Sequence, residues 1–287
     1  MLHRIERLSA LRERYDVLLS DVWGVIHNGA VSFPGPCAAL AAWREEVGPV
    51  ILVSNAARPS PEVSVQLDGL AIQREAYSAL VTSGDVTRVL LAERAPGPAL
   101  RIGPEGPHRP LYEGLGMEFS EPEQAKFISC TGLVDDEVET PEDYRPLLTR
   151  AAALKLPMIC ANPDKVVQRG ARLIYCAGAL AELYEALGGQ TIMAGKPHPP
   201  IYRACLAKAA EIAGRPVDPT RVLAIGDGVA TDIAGANAAG LDALFIAGGI
   251  HEAETRDLVG GFDHIKVERL LAERRAEAAW GMDALAW

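Results

Sequence analysis

The chain has 287 residues, enough for one large domain or two of ordinary size. Apolar residues make up 49% of it and charged residues 23%, which excludes a disordered or fibrous protein and supplies a sizeable core. The formal net charge of −10 disfavours binding to nucleic acid or to an anionic membrane surface, although a metal ion and a few local cations can still bind a small anion.

The sequence predicts neither a membrane span nor a secretory signal. The longest apolar run of note, residues 243–250, falls far short of the roughly 18–20 residues that a spanning helix needs. The amino-terminal segment MLHRIERLSALRERYD is charged and amphipathic, with no apolar core of a signal peptide. Five widely spaced cysteines without a C-x-x-C pair favour reduced thiols over a disulfide or zinc site. We therefore expect a cytoplasmic protein.

Short apolar segments alternate with helical patterns along the chain, which indicates a parallel α/β fold. Helical spacing of apolar residues predicts a first helix over residues 2–14. In chain order, we then predict strands at 15–19, 49–53, 99–102, 126–130, 157–160, 191–194, 221–225 and 243–246, and helices at 37–43, from 61 onward, and at 141–154, 177–187, 201–213, 229–239 and 267–276.

The middle of the chain and its carboxyl end differ in texture from the rest. Residues 95–125 are rich in proline and glycine, as loops are, and the elements after them form a second α/β unit. The apolar tail carries Trp280 and Trp287. We expect this tail to dock on the chain's own core, and a partner surface is the alternative.

Four polar groups follow buried strands at or near their carboxyl ends. They are Asp21, Ser54, Asp227 and, after one glycine, Lys196. Each by itself has an ordinary interpretation as a helix cap, a turn residue or a solvated lysine. Ligands of open parallel sheets bind outside the carboxyl ends of the strands, so the joint occurrence predicts that these groups converge at one site.

The four motifs that carry these groups resemble those of the haloacid dehalogenase (HAD) superfamily, in its subclass IIA of NagD-like sugar phosphatases. They are DVWGV at residues 21–25, ILVS at 51–54, GKP at 195–197 and GDGVATD at 226–232. The resemblance covers nearly the whole chain. It implies a Rossmann-like parallel-sheet core at 1–81 and 190–287, with an inserted α/β cap domain of the C2 type at 82–189.

The resemblance also implies hydrolysis of a small phosphorylated metabolite. Asp21 would be the nucleophile that forms an aspartyl-phosphate, which divides hydrolysis into two steps. Lys196 would neutralise charge on the nucleophile and the phosphoryl oxygens. The Ser54 hydroxyl and the backbone N–H of Asn55 would bind phosphoryl oxygens.

A carboxylate is repelled by a phosphate dianion, so the site needs a hard cation, and Mg²⁺ is expected. Its ligands would be the carboxylates of Asp21 and Asp227 and the backbone carbonyl of Trp23. Asp232 would be a further ligand, or it would contact the other ligands without binding the ion itself.

Trp23 departs from the pattern of the phosphatases in this superfamily, which have a second aspartate at this position as general acid and base. An indole cannot transfer a proton near neutral pH. The loss should cost about 10²–10⁴-fold with an alkyl phosphate and much less with a leaving group that is stable as an anion.

Three hypotheses follow from Trp23. In the first, another group supplies the proton, and His27 is the candidate because imidazole titrates near physiological pH; the alternative is a loop or packing histidine. In the second, the enzyme is specialised for activated phosphates or for another bond cleavage. In the third, the chain binds a phosphorylated metabolite without turnover. Retention of the other motif residues argues against a fully degenerate site.

Substrate choice would lie mostly with the cap. Candidate contacts are Asn162, Asp164 and the loop 131–133, although Asn162-Pro163-Asp164 could also be an ordinary turn. A homodimer, formed through the caps or the tail, is the expectation for assembly.

Overall fold

The computed structural model describes residues 2–169, 172–257 and 259–287. Strands and helices alternate along most of the chain, so the predicted α/β class is confirmed. The strands are β1 His3–Arg4, β2 Val17–Asp21, β3 Val50–Ser54, β4 Ala79–Thr82, β5 Ala99–Ile102, β6 Phe127–Cys130, β7 Met158–Cys160, β8 Val166–Arg169, β9 Arg172–Tyr175, β10 Thr191–Met193, β11 Val222–Gly226, β12 Asp242–Ile246 and β13 Trp280–Met282. The helices are α1 Pro34–Glu46, α2 Ser60–Gly69, α3 Ser83–Ala92, α4 Glu105–His108, α5 Arg145–Ala153, α6 Ala177–Ala186, α7 Pro199–Ala213, α8 Ala234–Ala238, α9 Glu252–Thr255 and α10 His264–Glu273.

The chain forms two compact units. The first comprises residues 1–54, 64–81 and 196–287, and the second comprises 55–63 and 82–195. The sequence placed a boundary at 190, whereas β10 pairs with β7 in a sheet of the second unit. The assignment of 82–189 as a cap stays a prediction.

A seven-stranded sheet of order β1-β13-β12-β11-β2-β3-β4 forms the first unit. β2 lies between β11 and β3 and pairs in parallel with both. Its register sets Asp21 beside Val53 and Ser20 beside Ile225. The carboxyl ends of these three strands therefore lie level at one edge of the sheet.

The second unit has its own parallel sheet, of order β10-β7-β6-β5, and its own core. The core packs α5 and α6 against strand residues such as Ile128 and Met158. The antiparallel pair of β8 and β9 adds a two-stranded sheet that the sequence analysis did not predict.

The helix predicted over residues 2–14 is wrong. This segment instead contains β1 and a 3₁₀ turn at Leu8–Leu11. The reason is pairing with the other end of the chain, since the His3 amide donates to the Ala279 carbonyl (2.9 Å) and the Leu8 amide to that of Ala286 (2.7 Å). A local propensity loses to a nonlocal strand pairing of this kind.

The apolar tail packs on the unit to which it belongs, as expected. Its β13 joins the seven-stranded sheet, and the Trp287 ring meets Trp43 edge to face at 6.4 Å. All five cysteines are free thiols. Within the described ranges, the structure has no helix that could cross a membrane.

Replacing Leu285 by alanine tests this docking. Leu285 is 2% exposed, so its truncation leaves a cavity, and we expect the free energy of unfolding to fall by about 2–5 kcal/mol. Ile265→Ala is the matched control, because this isomeric side chain is 78% exposed on α10 and should change stability by less than about 0.5 kcal/mol. Urea denaturation compares the two variants. Equal transition midpoints would contradict docking of the tail.

Candidate active site

Lys196 lies at the centre of a buried cluster of charges in the first unit. Its Nζ donates hydrogen bonds to Asp21 Oδ1 and to Asp232 Oδ1, the second at 2.6 Å. Asp21 ends β2, and Lys196 comes shortly before α7. Lys196 thus joins Asp21 to Asp232, and these three predicted residues come from widely separated parts of the chain.

Asp227 follows β11 and lies between two glycines. A Cβ atom at Gly24 or at Gly249 would overlap the Asp227 carboxylate, so only glycine fits at either position. Gly24 also has φ +82°, a left-handed conformation that glycine adopts without strain. The amide of Ile250 donates to Asp227 Oδ2 at 2.8 Å. Gly249 and Ile250 were missed at the level of sequence because nothing local distinguishes that Gly-Gly turn from an ordinary loop.

Asp232 is held by a turn that the sequence did not predict. Residues 229–239 were expected to form one helix, but Val229–Ile233 form a π turn and α8 begins only at Ala234. The amide of Gly228 donates to Asp232 Oδ2 at 3.0 Å. Both carboxylate oxygens of Asp232 are therefore hydrogen-bonded within the protein, and π turns are frequent at functional sites.

Three carboxylates converge beside Lys196 and could hold a cation. One oxygen from each of Asp21, Asp227 and Asp232 lies within 4.8 Å of the others. Three carboxylates, two of them buried and that of Asp21 partly buried, leave excess negative charge against one ammonium, and all the donors are oxygens. This donor set fits a hard divalent cation.

Burial and mutual repulsion shift the protonation of these groups. Burial, together with the charge of Asp232, raises the pKa of Asp21 well above its usual range and that of Asp227 to about 7. Burial alone would lower the pKa of Lys196, but Asp21 and Asp232 outweigh it and raise that pKa. A bound cation would oppose protonation of the carboxylates.

The segment after Asp21 carries Trp23 and His27. The Trp23 side chain is 38% exposed, whereas His27 is buried. The Gly29 amide donates to His27 Nδ1 at 2.8 Å, and burial lowers the pKa of His27. His27 is therefore neutral at pH 7 and carries its proton on Nε2. Its role as a proton donor stays a prediction.

The remaining predicted residues divide between the units. Ser54 ends β3 of the first unit and is half-buried. In the second unit, Asn55 Nδ2 donates to Asp164 Oδ1 at 2.9 Å. The Asp164 amide donates to Asn162 Oδ1 at 2.9 Å, which is the turn considered as the alternative. Contact of these residues with a phosphate stays a prediction.

Two family models match the chain. Residues 18–118 match a model described as haloacid dehalogenase-like hydrolase, and residues 193–268 match one described as HAD-hydrolase-like. The first range contains Asp21 and Ser54, and the second contains Lys196, Asp227 and Asp232.

Several known proteins are similar over most of the chain. A haloacid dehalogenase-like hydrolase from Brucella suis is 48% identical, with a TM-score of 0.84 over 98% of this chain and 99% of that one. D-glycerol 3-phosphate phosphatase of Mycobacterium tuberculosis is 26% identical over 86% of this chain and 67% of its own length. Acid sugar phosphatase of Staphylococcus aureus is 26% identical over 84% of this chain and 90% of its own length.

Without a cation, the raised pKa of Asp227 should make stability depend on pH. Since the native state binds a proton near pH 7 that the unfolded state, with a pKa near 3.8, does not, the free energy of unfolding should rise as pH falls from 8 to 6. Asp227→Asn removes this contribution. In EDTA, we expect the melting temperature of the wild type minus that of Asp227→Asn to increase as pH falls from 8 to 6.

The comparison of the two proteins isolates the titration that depends on Asp227, which includes its effect on Asp21, because the charge of Asp227 also raises the pKa of Asp21. Burial also lowers the pKa values of His27 and His108, which destabilises the fold below about pH 6.5, but it does so in both proteins and cancels in the difference. A divalent cation at pH 8 should stabilise the wild type more than Asp227→Asn. A difference that stays constant with pH would contradict the raised pKa.

Proposed function

Because the chain belongs to the haloacid dehalogenase-like hydrolase family, in its NagD-like subclass IIA, we propose that it is a magnesium-dependent phosphatase of small phosphorylated metabolites. The observation that carries this function is the contact of Lys196 with Asp21 inside a cluster of three carboxylates. It places a nucleophilic oxygen beside both a fixed positive charge and a set of cation ligands. The names of the relatives, a glycerol phosphate phosphatase and a sugar phosphatase, support the same class of substrate.

Asp21 acts as the nucleophile. One carboxylate oxygen forms a bond to phosphorus while the bond from phosphorus to the ester oxygen breaks, and the leaving group takes that electron pair. Water then hydrolyses the aspartyl-phosphate, which releases inorganic phosphate and restores Asp21. Lys196 neutralises charge on the nucleophile and on the phosphoryl oxygens.

Mg²⁺, when bound, supplies charge neutralisation at the phosphoryl group. Asp21, Asp227 and the backbone carbonyl of Trp23 would hold it. Both oxygens of Asp232 already accept hydrogen bonds, from Lys196 and from the Gly228 amide. Asp232 is therefore better suited to orient Lys196 than to hold the ion directly.

Phosphate binding and substrate choice are assigned to the remaining predicted residues. The Ser54 hydroxyl and the Asn55 amide bind phosphoryl oxygens. Residues 82–189 act as a cap, in which Asn162 and Asp164 contact the rest of the substrate. The hydrogen bond between Asn55 and Asp164 supports a shared role, because it joins a phosphate-binding residue to a cap residue within one compact unit. Assembly as a homodimer is part of the same proposal.

Asp21→Asn tests the proposed reaction. The amide is not a nucleophile, so Mg²⁺-dependent phosphate release should fall by about 10³-fold or more. Asp16→Asn is the matched control, since Asp16 pairs with Arg221 near the surface just before β2 and should leave turnover unchanged. Phosphate release from p-nitrophenyl phosphate, acetyl phosphate and several sugar phosphates measures both variants. Equal turnover by Asp21→Asn and wild type would exclude the aspartyl-phosphate.

A second candidate function is the hydrolysis of activated phosphates only. Among residues 22–33, His27 has the one side chain that titrates near neutral pH, and it is buried and neutral. Trp23, two residues after the nucleophile, cannot donate a proton near neutral pH. Acyl and aryl phosphates release leaving groups that are stable as anions, so they need no acid.

A panel of leaving groups separates the two candidates. For the second, kcat/KM should fall steeply with the pKa of the leaving group, by at least about 10²-fold from p-nitrophenyl phosphate to an alkyl phosphate. A flat dependence would show that a proton donor exists.

His27→Ala then identifies or excludes that donor. If His27 supplies the proton, the variant loses turnover of alkyl phosphates and its pH profile changes, while acetyl phosphate is hydrolysed as before. An unchanged profile would remove His27 from the site. Mg²⁺-dependent binding of sugar phosphates with no turnover anywhere in the panel would indicate a binding protein instead.

A further inference from the structure

Tyr202 is a buried tyrosine that the proposed reaction does not use. It lies in the first turn of α7 and is almost fully buried. Its hydroxyl donates to the backbone carbonyl of Asp232 at 3.1 Å, and the carbonyl of Thr231 lies at 3.5 Å. The hydroxyl therefore contacts the π turn on the backbone side of the same aspartate whose side chain binds Lys196.

Gly235 makes room for this contact. A Cβ atom at position 235 would overlap the hydroxyl and ring atoms of Tyr202. Gly235 is buried and is the second residue of α8, which begins directly after the π turn. A large ring at 202 and the absence of a side chain at 235 thus form one packing arrangement, which lets the hydroxyl reach the carbonyl of Asp232.

These contacts are part of a hydrogen-bond network around Asp232. Lys196 Nζ holds its side chain, at 2.6 Å from Oδ1, and Tyr202 holds its backbone. Both groups come from one short stretch of chain, with Lys196 just before α7 and Tyr202 in its first turn. The Gly228 amide binds the other carboxylate oxygen at 3.0 Å, so Asp232 is restrained from three directions.

From this hydrogen-bond network we infer that Tyr202 is a positioning residue, an inference that rests on the proposed function. A lysine ammonium is a point charge on a flexible four-carbon stem and has no fixed direction of its own. Asp232 supplies that direction, and the Tyr202 hydroxyl keeps Asp232 in place by fixing the π turn against α7. Without the hydroxyl, the turn can shift and Lys196 is no longer directed onto Asp21. Small misplacements of catalytic groups are costly to rate.

Tyr15 offers a matched control within the same unit. It is also fully buried, its hydroxyl donates to Asp242 at 2.5 Å, and it accepts a hydrogen bond from Trp280 Nε1 at 2.8 Å. It has no contact with the charge cluster among the hydrogen bonds of the described residues. Tyr15→Phe and Tyr202→Phe therefore delete the same group from equally buried sites.

The experiment compares the two full-length variants in kcat, KM, thermal stability and amide hydrogen exchange. The kinetic constants are measured with p-nitrophenyl phosphate and saturating Mg²⁺, at a temperature well below the melting temperature of either variant. We expect Tyr202→Phe to lower kcat by about 10-fold with KM changed by less than about 2-fold, and to speed amide exchange in residues 228–235. Tyr15→Phe should lose stability while kcat and exchange in 228–235 stay at wild-type values. Wild-type kcat in Tyr202→Phe, or an equal loss of kcat in both variants, would overturn the positioning role.

Gly235→Ala provides an independent perturbation, since its methyl group pushes against the Tyr202 ring. It should reproduce the loss of kcat, and its effect in the Tyr202→Phe background should be smaller than in the wild type. Full additivity of the two substitutions in their effect on kcat would overturn the proposed coupling through this hydrogen-bond network.

The failure of the proposed function would be recognised separately. If the wild type releases no phosphate from any substrate, the phosphatase assignment fails, and amide exchange then decides the inference by itself. Faster exchange in residues 228–235 of Tyr202→Phe, but not of Tyr15→Phe, would support the positioning of Asp232 by Tyr202. Unchanged exchange would overturn it.

Discussion

The contact of one buried ammonium with two carboxylates is the constraint on which the first unit depends. Lys196 compensates Asp21 and Asp232, and removing one partner of such a buried pair typically costs about 3–5 kcal/mol. A single lysine leaves negative charge in excess, and burial together with the charge of Asp232 raises the pKa of Asp227. The cluster is thus built for a further positive charge, which a divalent cation can supply.

The fold meets this constraint with backbone rather than with more charges. Parallel pairing of β2 with β11 and β3 brings the strand ends to one edge. Amides of Gly228 and Ile250 then satisfy carboxylate oxygens without adding charge. Gly24 and Gly249 leave the space that the Asp227 carboxylate fills. These contributions come from three loops, those after β2, β11 and β12, so the site depends on the sheet as a whole.

The ends of the chain strengthen the same sheet from its other side. β13 continues the row beyond β12, and β1 pairs with β13. A local helical pattern at the amino end is overridden, because an isolated helix of this length is only marginally stable in water, whereas β1 gains strand pairing with the tail. The second unit is organised separately, around its own four-stranded sheet.

The sequence by itself determined the α/β class and the identity of the groups at the strand ends, because buried strands and the polar residues after them are local patterns. Asp21, Lys196 and Asp227 were predicted in this way and Asp232 through the resemblance of its motif, and the structure brings the four into one cluster. Only the tertiary structure decided the π turn, the amide of Ile250 and the reach of Tyr202 to the Asp232 carbonyl. These features arise between segments distant along the chain, where no local periodicity or spacing records which groups will meet.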